Sequence, residues 1–137
     1  MKKFIQKIVV DQNHLDELNH VNNIQYLRWA QEIAKSHWQF LIKNIKTPVG
    51  IWVVRNHEIE YRISAFLNDH ITISTFIETI KGPISIRIVE FHDSKSKKLI
   101  SKVITKWCYL NNNDDKKITF VPDTIQKLIN SDELDIE

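Results

Sequence analysis

Glycine, proline and cysteine are all scarce in this 137-residue chain, which holds two, three and one of them. The two glycines, Gly50 and Gly82, stand far from the polar stretch at 11–19, so no glycine-rich loop precedes the long helix read below. The single cysteine, Cys108, excludes an intrachain disulfide and fits a reducing compartment, which points to the cytoplasm. No apolar run approaches the roughly 18 residues of a membrane-spanning helix. Met1-Lys2-Lys3-Phe4-Ile5 opens as a secretory signal does, but Gln6 and Lys7 break the apolar run and Asp11 ends it. A dense basic block is missing too. The 19 basic and 17 acidic residues are spread along the chain, for a formal charge of +2, which argues against a nucleic-acid partner. Internal repeats and low-complexity linkers are absent as well.

What is present is an apolar fraction of 42%, enough to build the core of one domain spanning 1–137. Residues 4–10 read as a strand, and 11–19 as a polar connection with turn-forming Asp and Asn. From 22 to about 43 the spacing becomes helical. Leu27, Ala30, Ala34, Trp38 and Leu41 form one apolar stripe, and Tyr26, Trp29, Ile33 and Phe40 form its neighbour. Together they are wider than the apolar face of a surface helix, so this helix is expected to be wrapped by other structure. Lys46-Thr47-Pro48-Val49-Gly50 ends it.

Strands follow. Residues 51–63 are rich in Val, Ile, Trp and Tyr, and Asn68-Asp69 marks a turn. Residues 70–80 alternate, with Ile71, Ile73, Thr75 and Ile77 on one face. After the turn Lys81-Gly82-Pro83, Ile84, Ile86 and Ile88 alternate with Ser85 and Arg87. A polar loop at 93–98 leads to 99–110, where Ile100, Ile104 and Cys108 oppose Val103, Trp107 and Tyr109. Long strands joined by short turns imply an antiparallel meander. A short apolar piece at 118–121 precedes a helix at 122–130, with Ile125, Leu128 and Ile129 on one face and Asp123 in its first turn. The expected architecture is α+β: an antiparallel sheet of five or more strands curled around one long helix, its exposed edges and outer face favouring a dimer.

One carboxylate, Asp16, sits a few residues ahead of the long helix. A helix N-terminus presents unpaired N–H groups and about half a positive charge, so it can polarise a carbonyl oxygen where a carboxylate can attack. This is the layout of an active site, with an oxyanion donor and a carboxylate that can act as nucleophile or as general base.

Asp16-Glu17-Leu18-Asn19-His20-Val21-Asn22-Asn23, continuing to Tyr26, Leu27 and Trp29, resembles the D-x-x-G-H-V-N-N-x-x-Y-L-x-W signature of hotdog-fold thioesterases. These include the 4-hydroxybenzoyl-CoA thioesterase group, bacterial acyl-CoA hydrolases and the plant acyl-ACP thioesterases. Ile59-Glu60-Tyr61, Asp69 and Phe120-Val121-Pro122 are similar to later family segments. The resemblance implies a hotdog fold and hydrolysis of acyl-CoA or acyl-ACP, by a homodimer or tetramer of dimers without a metal or other cofactor. Position by position, it implies that Asp16 is the catalytic carboxylate. It likewise implies that the backbone N–H near Asn23 polarises the thioester carbonyl, and that His20 belongs to the catalytic network. Val21, Asn22 and Tyr26 are candidate substrate contacts. The family's Gly is Asn19 here, a residue that tolerates left-handed backbone better than most. The catalytic Asn that plant enzymes place two residues after the Asp is Leu18.

Other readings compete. Asn22 and Asn23 are also natural helix caps, and Tyr26 and Trp29 natural core or interface aromatics. Glu32 matches the helix carboxylate of another hotdog type, yet an exposed helix Glu is the plainer reading. His57, His70 and His92 carry no constellation. His14, Asp16 and His20 offer donors for a metal, without a second ligand cluster elsewhere. Hotdog dehydratases use a Gly/Pro-rich loop before the helix, which is missing. A non-catalytic acyl-thioester-binding protein would not require Asp16. Lys95, Lys97 and Lys98 can meet the phosphates of CoA or stand as solvated turn charges.

Overall fold

The computed structural model describes residues 3–131; the charged start Met1-Lys2 lies outside them. In chain order the elements are β1 (Phe4–Val9), a 3-10 turn (Gln12–His14), α1 (Asn23–Ile42), β2 (Ile51–Tyr61), β3 (His70–Lys81), β4 (Ile84–Asp93), β5 (Leu99–Leu110) and α2 (Asp123–Asn130). The five strands form one antiparallel sheet in the order β1-β3-β4-β5-β2.

The long helix falls within one residue of its expected ends. Asn22 caps it, its side chain accepting the Ile24 N–H at 3.0 Å. Both apolar stripes turn inward: Tyr26, Trp29, Ala30, Ile33, Ala34 and Leu41 are buried. The sheet curls enough for α1 to meet both edges and the centre. Tyr26 and Trp29 pack on Phe91 of β4, Tyr26 meets Tyr61 of β2, and Phe40 meets Phe4 of β1. At about 25 cal/mol per Å² of apolar surface, such wrapping is the main force holding the two layers together.

One expectation needs correction. The strands β3, β4 and β5 form the expected meander, but β2 does not pair with β3. It lies at the far edge on β5, and the segment at 62–69 is a crossover rather than a hairpin turn. The crossover is held where it passes the start of α1. Ala65 is buried and accepts from the Val21 N–H at 2.9 Å, His20 bridges to Phe66, and Asn68 and Asp69 exchange backbone bonds with Val10. Alternation alone leaves the inward face of β4 open; the face turned toward α1 is that of Ser85 and Arg87. Val89 and Phe91 continue the same parity and are almost fully buried, and the Phe91 contacts with α1 set it.

That parity places a cation inside the protein. Arg87 Nη1 donates to His37 Nδ1 at 2.9 Å and to Thr75 Oγ1 at 3.0 Å, while Phe4 stacks on the His37 ring. Burial, with a smaller contribution from the Arg87 charge, lowers the His37 pKa to about 3. The imidazole is therefore neutral, and because arginine has no acceptor, Nδ1 must be the bare nitrogen. Burial also lowers Arg87, to about 9, which leaves it charged at neutral pH.

Candidate active site

The loop before α1 is built around Asp16. Its backbone N–H donates to the His20 carbonyl at 2.9 Å and its carbonyl accepts from Asn19 at 3.0 Å, closing a tight turn. The turn requires a left-handed residue, and Asn19 supplies it at φ 62°. One carboxylate oxygen, Oδ1, accepts from the backbone N–H groups of Leu18 at 2.9 Å and His20 at 3.3 Å. Oδ2 takes no hydrogen bond from the described residues, so the half-buried carboxylate is oriented by one oxygen and free at the other.

Val21 and Asn22 are pinned on both sides. Val21 pairs with Leu15 and donates to Ala65, and the Asn22 N–H donates to the His14 carbonyl at 2.9 Å. At the helix start the Ile24 and Gln25 N–H groups both go to Asn22, to its side chain and its carbonyl. The Asn23 N–H, at the first helical position, has no acceptor among the described residues.

These groups border a cavity of about 420 Å³. Asp16, Leu18, His20, Val21, Asn23 and Tyr26 line it from the loop and helix side, and Tyr61, Arg62, Ile63 and Ser64 from the end of β2 and the crossover. Tyr61 Oη donates to the Asn23 carbonyl at 3.2 Å, which ties β2 to the helix start. The His20 ring stands edge-on to Phe66, with Ser64 Oγ 3.5 Å from Nδ1. Tyr26 is buried, and desolvation first, then Tyr61 and Asp69, raise its phenol well above the ordinary value, so it stays neutral. Leu18, Ile24, Tyr61, Ile63 and Phe66 remain exposed around this end of the molecule, an apolar fringe suited to an apolar substrate.

Five of the six site residues read from the sequence thus meet at one cavity. Asn22 does not line it; its side chain is spent on the helix cap. Tyr61, Arg62, Ile63 and Ser64 went unseen because they arrive through the crossover, which a hairpin reading sends elsewhere. His14 turns edge-on to Trp29 and its Nδ1 accepts from the Asp11 N–H, away from His20. Among the described residues, no group of three or more His, Cys, Asp or Glu is placed to hold a metal ion. Glu32 is exposed on α1, and Lys95, Lys97 and Lys98 are exposed in the β4–β5 turn. No helix among the described residues is long and apolar enough to cross a membrane.

Solved structures share this fold at low sequence identity. A 1,4-dihydroxy-2-naphthoyl-CoA thioesterase from Synechocystis superposes with a TM-score of 0.80 at 16% identity, covering 98% of this chain and 100% of that one. A Staphylococcus aureus protein solved in complex with CoA gives 0.82 at 12% identity, covering 94% of this chain and 82% of that one. A 12:0-ACP thioesterase from Umbellularia californica gives 0.77 at 13% identity, covering 97% of this chain and 51% of that one. No curated protein sequence matches significantly. The sheet wrapped on a central helix is the hotdog fold. A sequence model of the family matches residues 10–129, a span that runs from the loop carrying Asp16 into α2. The chain belongs to the thioesterase-like superfamily, and its chemistry is thioester hydrolysis.

Proposed function

We propose that this protein hydrolyses acyl-CoA thioesters, releasing a fatty acid and CoA, with Asp16 as the catalytic carboxylate. The observation that carries this reading is the meeting, at one cavity, of a carboxylate with a free oxygen and an unpaired N–H at a helix start. The Asn23 N–H receives the developing oxyanion, a contribution of about 3 kcal/mol for a donor of this kind. Asp16 Oδ2 either attacks the carbonyl carbon, expelling CoA as the thiolate and leaving a mixed anhydride that water hydrolyses to free the acid and restore the carboxylate, or takes a proton from a water that attacks the carbonyl carbon and expels the thiolate. His20 supports this end of the cavity, while Val21 and Tyr26 border the acyl group. The enzyme works as a homodimer or larger assembly of one-domain subunits in the cytoplasm. The CoA-bound relative supports CoA as the carrier; the relative acting on acyl-ACP makes acyl-carrier protein the alternative.

A thiol-release assay over acyl-CoA esters of increasing chain length tests this, with acyl-carrier-protein thioesters as a second arm. Hydrolysis by the wild type and its loss in Asp16→Asn and Asp16→Ala are expected. A wild type inactive on every thioester, or Asp16 variants as active as the wild type, would overturn the assignment.

A further inference from the structure

A second cavity, of about 620 Å³, opens between the later half of α1 and strands β2, β4 and β5. It shares no lining residue with the Asp16 cavity. Three of the four tryptophans, Trp38, Trp52 and Trp107, line it, with Ala34 on the helix side. Arg87 and Ser85 contribute the polar part of its sheet wall.

Two features of this wall are unusual for a chamber that merely separates two layers. Arg87 is 5% exposed and charged, yet no carboxylate among the described residues pairs with it. Both of its hydrogen bonds leave from Nη1, so the Nε and Nη2 donors make none with the described residues. These two nitrogens form the edge of the guanidinium that matches a carboxylate through two parallel hydrogen bonds. Among the described residues the one buried side-chain donor without a partner is the Trp107 Nε1–H, on a residue that lines the same cavity. Buried donors are nearly always satisfied, and a buried cation without a counter-ion is costly. An anion in the cavity can pair with the open guanidinium edge of Arg87, and the apolar walls favour one that carries an apolar body. The volume lies in the range of pockets that enclose small organic ligands.

We propose that this cavity binds an amphiphilic monocarboxylate, its carboxylate on Arg87 and its apolar part among Trp38, Trp52 and Trp107. The site is distinct from the Asp16 cavity and needs no covalent step. A monocarboxylate is also the acid half released by thioester cleavage, and only this link to the product rests on the function proposed above.

Tryptophan fluorescence of the full chain, titrated with decanoate below its micellar range, reads occupancy because the tryptophans line the cavity. A saturable response to decanoate is expected, with decanol, which keeps the chain and lacks the charge, binding at least tenfold more weakly. Arg87→Gln, verified as folded by circular dichroism, is expected to weaken decanoate at least tenfold and leave decanol unchanged. Ala34→Phe, which fills the cavity from α1, is expected to abolish the response while thiol-release activity at the Asp16 cavity persists. The proposal is overturned by equal responses to decanoate and decanol, by no saturable response, or by undiminished binding in folded Arg87→Gln or Ala34→Phe. Thiol release is measured separately, so failure of either reading leaves the other standing.

Discussion

The two cavities on α1 carry opposite charges in opposite surroundings. At the N-terminal end, Asp16 is half-buried and has two backbone donors on one oxygen. Further along the helix, Arg87 is almost fully buried at the wall of the second cavity and leans on a neutral imidazole and a hydroxyl. The difference shows two ways of keeping an ion in a fold. A loop that supplies N–H groups and access to water holds a charge at little cost, while a sheet interior holds one only with neighbours kept neutral or with a counter-ion brought in.

The strongest test of this contrast is at Asp16. Asp16→Asn keeps the Oδ1 acceptor for the Leu18 and His20 N–H groups and removes only the charge. Thioester hydrolysis is expected to fall by roughly 10²- to 10⁴-fold, with the urea midpoint nearly unchanged. Lost activity accompanied by a comparable loss of stability would make Asp16 a structural residue.

Next in size is Gly50, on the wall of the Arg87 cavity. A Cβ there would overlap the Leu110 carbonyl and the ring of Tyr109, whose hydroxyl accepts the Gly50 N–H at 2.7 Å. Gly50→Ala is expected to destabilise by about 2 to 3 kcal/mol in chemical denaturation, because backbone and a buried ring must move together. A smaller cost would show that this wall yields more readily than its packing suggests.

The pH dependence comes third. The His37 pKa is depressed to about 3 in the folded state against an ordinary 6.5, so below pH 6.5 the unfolded chain binds a proton that the folded one does not. Stability attributable to His37 is therefore complete above about pH 6.5 and lost as pH falls, at roughly 1.4 kcal/mol per unit. Between pH 6.5 and 5, before most carboxylates titrate, wild type is expected to lose about 2 kcal/mol more than His37→Gln. His57 is also lowered by burial and is present in both proteins, so the comparison isolates His37. Parallel curves would show that His37 is protonated inside the fold.

The smallest effect is expected at Asn19. At φ 62° an alanine pays the left-handed penalty, so Asn19→Ala should cost about 1 kcal/mol in thermal or urea unfolding. Asn19→Gly should be close to neutral. Equal costs for the two would mean that the Asn19 side chain, and not its backbone, holds the Asp16 turn.

Local pattern made much of this molecule legible beforehand. The double stripe from Tyr26 to Leu41 located α1 to within a residue, and breakers at Pro48, Gly82 and Pro122 separated the later elements. The run from Asp16 to Asn23 lies along the loop side of the Asp16 cavity. Its other wall was invisible, because Tyr61 to Ser64 reach it only through a crossover between opposite edges of the sheet, and no local periodicity encodes strand order. His37 was passed over although it lies four residues from Ile33 and from Leu41 on the buried stripe. Alternation puts Arg87 on the same face of β4 as Ser85, and only tertiary packing decides that this face turns inward.

The same crossover has a kinetic consequence. Val21 meets Ala65, and His20 meets Phe66, across more than forty residues of chain, so closing the Asp16 cavity must await long-range organisation. The helix and the β3–β5 hairpins involve nearby residues and can form early, since loop-closure entropy rises with separation. A folding intermediate can therefore show native helix content and most of the sheet while Asp16 still lacks an opposing wall. Recovery of hydrolysis should lag recovery of circular dichroism during refolding, making enzymatic activity the later and more complete clock of assembly.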